Sequence, residues 1–320
     1  MSKMPSSTEQ FVVGNAVCYL KDTRGSCQLS AKGQQDRTEV YLNCSIVSLR
    51  SARVHNPGIA AALVVNFDIP QRKREEIERL GISIHQIDFS VFRMPDSFLW
   101  APAYFKLEAL AFLIERYEHV TLIDCDTFTV GSYAELQQES EDRILLYDPQ
   151  HRLLHPDRQR IIQNHAAIFG ESALLMHYGG EFVAGPRDFL KPFMEECEGV
   201  ACAIRERSHL LVHDMGDEQI LSVAAHRMPN YVRCANSYIF RYWTAPHFRL
   251  LSTNYEYDGV DIWHLPSEKE RGLDAMYRYL RRYGEFPNRK TCIRIFGLDR
   301  PNAGRISEKL RHIRNHYLYR

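Results

Sequence analysis

The chain has 320 residues, 45% of them hydrophobic and 25% charged, which is ordinary for a folded α/β protein and excludes a disordered chain, a collagen-like repeat and a small disulfide scaffold. Its 40 basic and 40 acidic residues cancel, but twelve Lys and Arg against three acids fall in residues 278–320, leaving that stretch at +9 and the rest at −9. Such a tail seeks something anionic: a membrane surface, a phosphorylated substrate or nucleic acid.

Residues 1–10 are polar, carry no apolar signal core and read as a loose tail. Phe11 to Leu20 is apolar and β-prone enough for a first strand, and Tyr41 to Arg50 begins a helix closed by Asn56-Pro57-Gly58. Ala61 to Asp68 reads as a buried strand stopped by Pro70, and Arg72 to Leu80 as a charged helix ended by Gly81. Ile82 to Phe89 alternates as a strand does. Pro102 to Tyr117 places Ala103, Leu107, Leu110 and Ile114 on one helical face, and Val120 to Ile123 is another buried strand. This alternation predicts an α/β fold with a mostly parallel sheet, helices on both faces, and ligands at the carboxyl ends of the strands.

No repeat or linker divides the chain, so one domain is expected over 11–277 with a basic extension over 278–320. In that extension Ile306, Leu310, Ile313 and Tyr317 fall on one face of an amphipathic helix, suited either to a membrane surface or to its own domain. The longest apolar run, Ile59 to Val65, is far short of the roughly 20 residues that span a bilayer. The eight cysteines form no CxxC pair, which argues against structural zinc and for reduced thiols in a cytoplasmic protein.

The strongest chemical signal is Asp124-Cys125-Asp126, directly after the strand Val120 to Ile123. Alternate residues of an extended segment face the same way, so both carboxylates can address one object. Two hard oxygen donors suit Mg²⁺ or Mn²⁺, which would grip a diphosphate. The plain alternative is a solvated strand end whose acids cap nearby amides.

The block Tyr104 to Leu110, the helix after it, Val120 to Thr127 and Tyr133-Ala134-Glu135-Leu136 together resemble the donor-site core of GT-A glycosyltransferases, most like the glycogenin and lipopolysaccharide galactosyltransferase group. The resemblance implies a Rossmann-like nucleotide-sugar-binding sheet, a metal-dependent transfer from a nucleotide-sugar donor, UDP-linked, to a glycan or lipid-linked acceptor, and retention of configuration. It makes Asp124 and Asp126 metal ligands and Lys106 a donor-binding residue. Gly216-Asp217-Glu218-Gln219-Ile220-Leu221 is similar to the family's Gly-Asp-Gln segment, which places Asp217 and Gln219 against the transferred sugar, although here a Glu intervenes. Ile262-Trp263-His264-Leu265-Pro266-Ser267-Glu268-Lys269 matches the strand that supplies a third metal ligand, His264, and a phosphate-binding Lys269, one residue closer together than in the family and without its Gly. Gly179 to Pro186 is similar to the family's strand on the acceptor side, and offers Glu181 as a base or as a group facing the anomeric carbon.

Other chemistries lack their residues. No serine-esterase elbow, P-loop or dinucleotide fingerprint is present, and nothing resembles a nucleic-acid-binding motif. Haloacid-dehalogenase phosphatases also begin with Asp-x-Asp but need Thr or Val where this chain has Phe128. Two alternatives stay open: an inverting transferase with Asp217 or Glu181 as base, and a binding protein that kept the fold and lost the activity. A cytoplasmic protein, peripheral at the membrane through its basic end, is the expected location.

Overall fold

The computed structural model describes residues 10–20, 34–95, 97–244 and 259–299. The expected tail before residue 10 and the amphipathic helix from 305 lie outside them. In chain order the elements are β1 (Phe11–Val17), α1 (Gln34–His55), β2 (Ala60–Val65), α2 (Gln71–Arg79), β3 (Ile82–Gln86), α3 (Phe105–Ile114), β4 (His119–Ile123), β5 (Thr127–Thr129), α4 (Ala134–Glu139) and β6 (Ile144–Tyr147). They continue with α5 (Pro156–Phe169), β7 (Gly179–Pro186), α6 (Arg187–Glu206), α7 (Asp217–Arg227), β8 (Val232–Cys234), β9 (Ile239–Arg241), β10 (Ile262–His264), α8 (Gly272–Tyr283) and α9 (Arg289–Phe296).

Seven strands form one sheet in the order β3-β2-β1-β4-β7-β6-β8. Side chains alternate across it with period two. Ala61, Leu63 and Val65 of β2 pack with Leu42, Ile46 and Leu49 of α1 on one face. Ala62 and Val64, with Val120 and Leu122 of β4, pack against Leu110 of α3 and Phe193 of α6 on the other. Both faces are therefore dry, and each fully buried Leu, Ile or Val contributes about 1.5–3 kcal/mol. This is why these strands read as unbroken apolar runs.

Every pairing in this sheet is parallel except those made by β7. Because β7 runs backwards, its first residues, Gly179 to Glu181, lie where its parallel neighbours end. A second sheet, β5-β10-β9, stands beside the exit of β4: β10 pairs antiparallel with β5, setting His264 opposite Thr127, and parallel with β9, setting His264 beside Arg241. Trp263 anchors it, fully buried and packed on Phe128 and Phe296.

Several boundaries move from their sequence-based positions. α1 begins at Gln34 rather than near Tyr41. The helix expected from Pro102 opens as a 3-10 turn over Ala101–Tyr104, with Pro102 in its first turn, and α3 follows. Gly81 does end α2 in the left-handed region, at φ 72°. α8 runs straight through the boundary drawn after residue 277, and Leu280, Cys292 and Phe296 are buried in the main core, so residues 278–299 pack on the domain. The seven described cysteines are all free thiols. Among the described residues no helix is long and apolar enough to cross a membrane.

Candidate active site

A cleft of about 590 Å³ opens over the carboxyl ends of β1 and β4. The acidic turn at its floor is shaped by Thr127, whose hydroxyl and backbone N–H both donate to the Asp124 carbonyl, at 2.9 and 3.2 Å. Two long-range backbone bonds fix the turn to the rest of the fold: Asp124 N–H donates to the Glu181 carbonyl at 3.0 Å, and Leu265 N–H to the Asp126 carbonyl at 2.9 Å. The antiparallel β5–β10 pairing then brings His264 over the acids. Its Nε2 lies 3.3 Å from Asp126 Oδ1 and 3.8 Å from Asp124 Oδ2.

The ligand atoms of Asp124, Asp126 and His264 lie within 4.8 Å of one another. Two carboxylates and an imidazole, with Asp124 partly open to the cleft, fit a divalent cation that keeps further positions for an incoming ligand. Asp126 is held well below the usual carboxylate range: burial opposes its charge, but Lys269 and His264 outweigh it. Burial likewise works against a charged His264, and Asp126 and Glu181 still raise it to about 9. The pocket between the acids thus already favours a cationic occupant.

Two lysines complete the floor. Lys106, at the start of α3, sits 3.1 Å from Asp124 Oδ1, 3.0 Å from Asp217 Oδ2 and 2.9 Å from the Gly180 carbonyl, so it ties three elements together. Burial lowers its pKa, but the two carboxylates more than reverse that and keep it charged. Lys269, just past a 3-10 turn after β10, contacts Asp126 Oδ2. Asp217 opens α7 and faces the cleft; burial raises its carboxyl to about 6 in spite of Lys106.

The structure therefore gathers Lys106, Asp124, Asp126, Asp217, His264 and Lys269 around one cleft. Gln219 is not among them. Successive helical residues point about 100° apart, and Gln219 turns into the protein, 1% exposed, accepting at 2.9 Å from Asn164 Nδ2. Glu218, the residue that interrupts the family's spacing, lines the cleft instead. Glu181 is present, but both its oxygens are engaged: Arg241 donates to them at 2.6 and 2.7 Å, and His264 Nδ1 lies 3.2 Å from Oε1. Sequence reasoning missed Arg241 and noted Glu218 only as an intervening residue, without a role. Arg241 had no local signal, since its partners lie on other strands.

The glycine pair before Glu181 also acquires a physical reason. A Cβ on Gly180 would fall 1.9 Å from Asp217 Oδ2 and 2.8 Å from Lys106 Nζ, and one on Gly179 would fall 2.0 Å from Glu181 Oε2. The two ion pairs occupy the space that side chains would need.

No protein-family model and no curated protein matches the chain. Among solved structures it is similar to mouse xyloside xylosyltransferase 1 in its apo form, with 12% identity and a TM-score of 0.47 over 79% of this chain and 97% of that one. It is also similar to the galactosyltransferase LgtC in complex with donor and acceptor sugar analogues, with 14% identity and a TM-score of 0.49 over 79% of this chain and 86% of that one.

Proposed function

We propose that this chain is a metal-dependent glycosyltransferase that moves a sugar from a nucleotide-sugar donor, UDP-linked, to a glycan or lipid-linked acceptor. The observation that carries the reading is the convergence of Asp124, Asp126 and His264 with Lys106 and Lys269 at the carboxyl ends of the sheet, on the floor of a cleft large enough for a nucleotide sugar. Asp124, Asp126 and His264 would hold Mn²⁺ or Mg²⁺. When bound, such an ion supplies Lewis-acid stabilisation to the charge that develops on a departing diphosphate.

The chain's own residues do the rest. Lys106 and Lys269 hold positive charge beside the two acids, where diphosphate oxygens would lie. Asp217, pinned by Lys106 at the edge of the cleft, orients the transferred sugar. Glu181 is tied down by Arg241 and His264, so a covalent intermediate on its carboxylate would require breaking a buried ion pair; this supports retention, if it occurs, without attack by Glu181. Inversion with Asp217 as base is the second reading, favoured by its place: its carboxyl lines the cleft, and burial raises it to about 6, close to the pH at which a general base works.

Thermal unfolding with UDP-, GDP-, CMP- and dTDP-sugars, each with and without Mn²⁺, tests the reading. A ligand at 100 times its dissociation constant adds about 2.7 kcal/mol. A metal-dependent shift for one nucleotide, lost in Asp124→Ala, is the expected result, and no shift with any of them would sink the proposal. The anomeric configuration of the product, read by proton NMR, then separates retention from inversion.

A further inference from the structure

Resting on the metal reading above, we infer that Glu181, clamped by Arg241, is the positioning residue that makes His264 a metal ligand. An imidazole can present its Nε2 lone pair to a cation only if its proton sits on Nδ1, and an acceptor facing Nδ1 holds it there. Glu181 Oε1 is that acceptor, 3.2 Å away. The same residue's backbone carbonyl receives the Asp124 N–H, so Glu181 touches two of the three candidate ligands.

A carboxylate only 1% exposed is costly to bury unless it is paired and its lone pairs are filled. Arg241 meets this condition with two parallel N–H···O bonds, at 2.6 and 2.7 Å. Register explains how it gets there: Arg241 and His264 are lateral partners on β9 and β10, so the clamp and the clamped imidazole converge on Glu181 from neighbouring strands. Arg241 is itself backed by Glu218, 3.9 Å from Nη2, whose other oxygen lies 3.1 Å from His177 Nε2. Gly179 is part of the device, because any Cβ there would strike the Glu181 carboxylate and lie 2.9 Å from Arg241 Nη2.

Mn²⁺ titration of the full chain, followed by the electron paramagnetic resonance signal of the free ion, tests the assignment. The proteins are wild type, Glu181→Gln, Glu181→Asp, His264→Ala and the double variant Glu181→Gln with His264→Ala. Glu181→Gln should weaken Mn²⁺ binding about 10- to 100-fold. In the His264→Ala background the same change should cost less than about twofold, because there is no imidazole left to position. Glu181→Asp keeps the charge that Arg241 needs but withdraws the oxygens by one methylene; it should fold and still lose affinity, which covers the case in which Glu181→Gln fails to fold. Unchanged Mn²⁺ affinity in both Glu181 variants, or an equal loss with and without His264, would overturn the assignment. No Mn²⁺ binding by wild type would bring down the metal reading itself, a result distinct from either.

Discussion

Among the described residues, two clusters bring three ligand-type side chains within 4.8 Å of one another: Asp124, Asp126 and His264 in the cleft, and His151, His155 and Asp157 at the start of α5. In the first, every member has a partner that aims it: Thr127 shapes the turn, Lys106 and Lys269 hold the acids, and Glu181 faces the imidazole. In the second the members are spent on one another and on the fold. The His151 and His155 rings stack at 3.5 Å and 12°, so their in-plane lone pairs run side by side instead of converging. His155 Nδ1 accepts the Asp157 N–H as a helix cap, and Asp157 pairs with Arg160 at 3.1 Å. Proximity of donors is common to both clusters. Only the cleft cluster has surroundings that direct its donors at one point.

The sharpest way to break this contrast is to remove a donor from each. Asp126→Asn should abolish Mn²⁺ binding and turnover, and by removing the buried negative charge that Lys269 and His264 face should cost about 3 kcal/mol in denaturant unfolding. His151→Ala and His155→Ala should leave Mn²⁺ affinity within about twofold of wild type. A comparable loss from either histidine would erase the distinction.

Asp217→Asn should split stability from function. A carboxyl raised from its ordinary value to about 6 binds its proton more tightly folded than unfolded, so its contribution is present at low pH and lost as pH rises through about 6. Above that, the ionised Asp217 destabilises the fold. Asp217→Asn should therefore raise stability by about 1–2 kcal/mol at pH 8, while Lys106 keeps Asp124, and should still remove most turnover. Stability and initial rates on the same preparation check both signs.

Gly180→Ala is a smaller perturbation. It pushes on the side-chain ends of Asp217 and Lys106 rather than on backbone, so unfolding should shift by less than about 1 kcal/mol while turnover falls about tenfold. The smallest effect belongs to the second cluster. Burial, with His177 and His155 beside it, lowers His151 to about 3. A histidine kept neutral in the fold contributes stability above its unfolded pKa of about 6.5 that is lost as pH falls toward about 3. His151→Asn should accordingly flatten the decline of stability between pH 6.5 and 4, by at most one proton's worth of slope, in urea titrations at a series of pH values.

What the sequence made legible follows how far apart the cooperating residues lie. β1, β2 and β4 announce themselves as apolar runs because both faces of the sheet are covered, and Asp124 and Asp126 stand out because two residues of spacing suffice to put them on one side. β9 and β10 have three residues each, too few for any period, and nothing in the order of elements signals that β7 runs backwards. The displacement of Gln219 by Glu218 is a matter of helix phase: the string shows the intervening Glu but not which of the two side chains faces the cleft. The Glu181–Arg241 clamp joins residues 60 positions apart through two sheets, and local pattern carries no trace of it.

All seven strands of the large sheet are in hand by Cys234, yet the third candidate ligand arrives only with Ile262–His264, opposite a strand made some 130 residues earlier. During synthesis the nascent chain can therefore build the strands of the large sheet before it can complete the candidate metal site. Because the third candidate ligand comes so late in the chain, uptake of an ion at this site would report completed folding. A ribosome-bound chain halted with residue 234 just clear of the exit tunnel should ignore Mn²⁺, and the released full-length chain, with Phe296 in place against Trp263, should take it up.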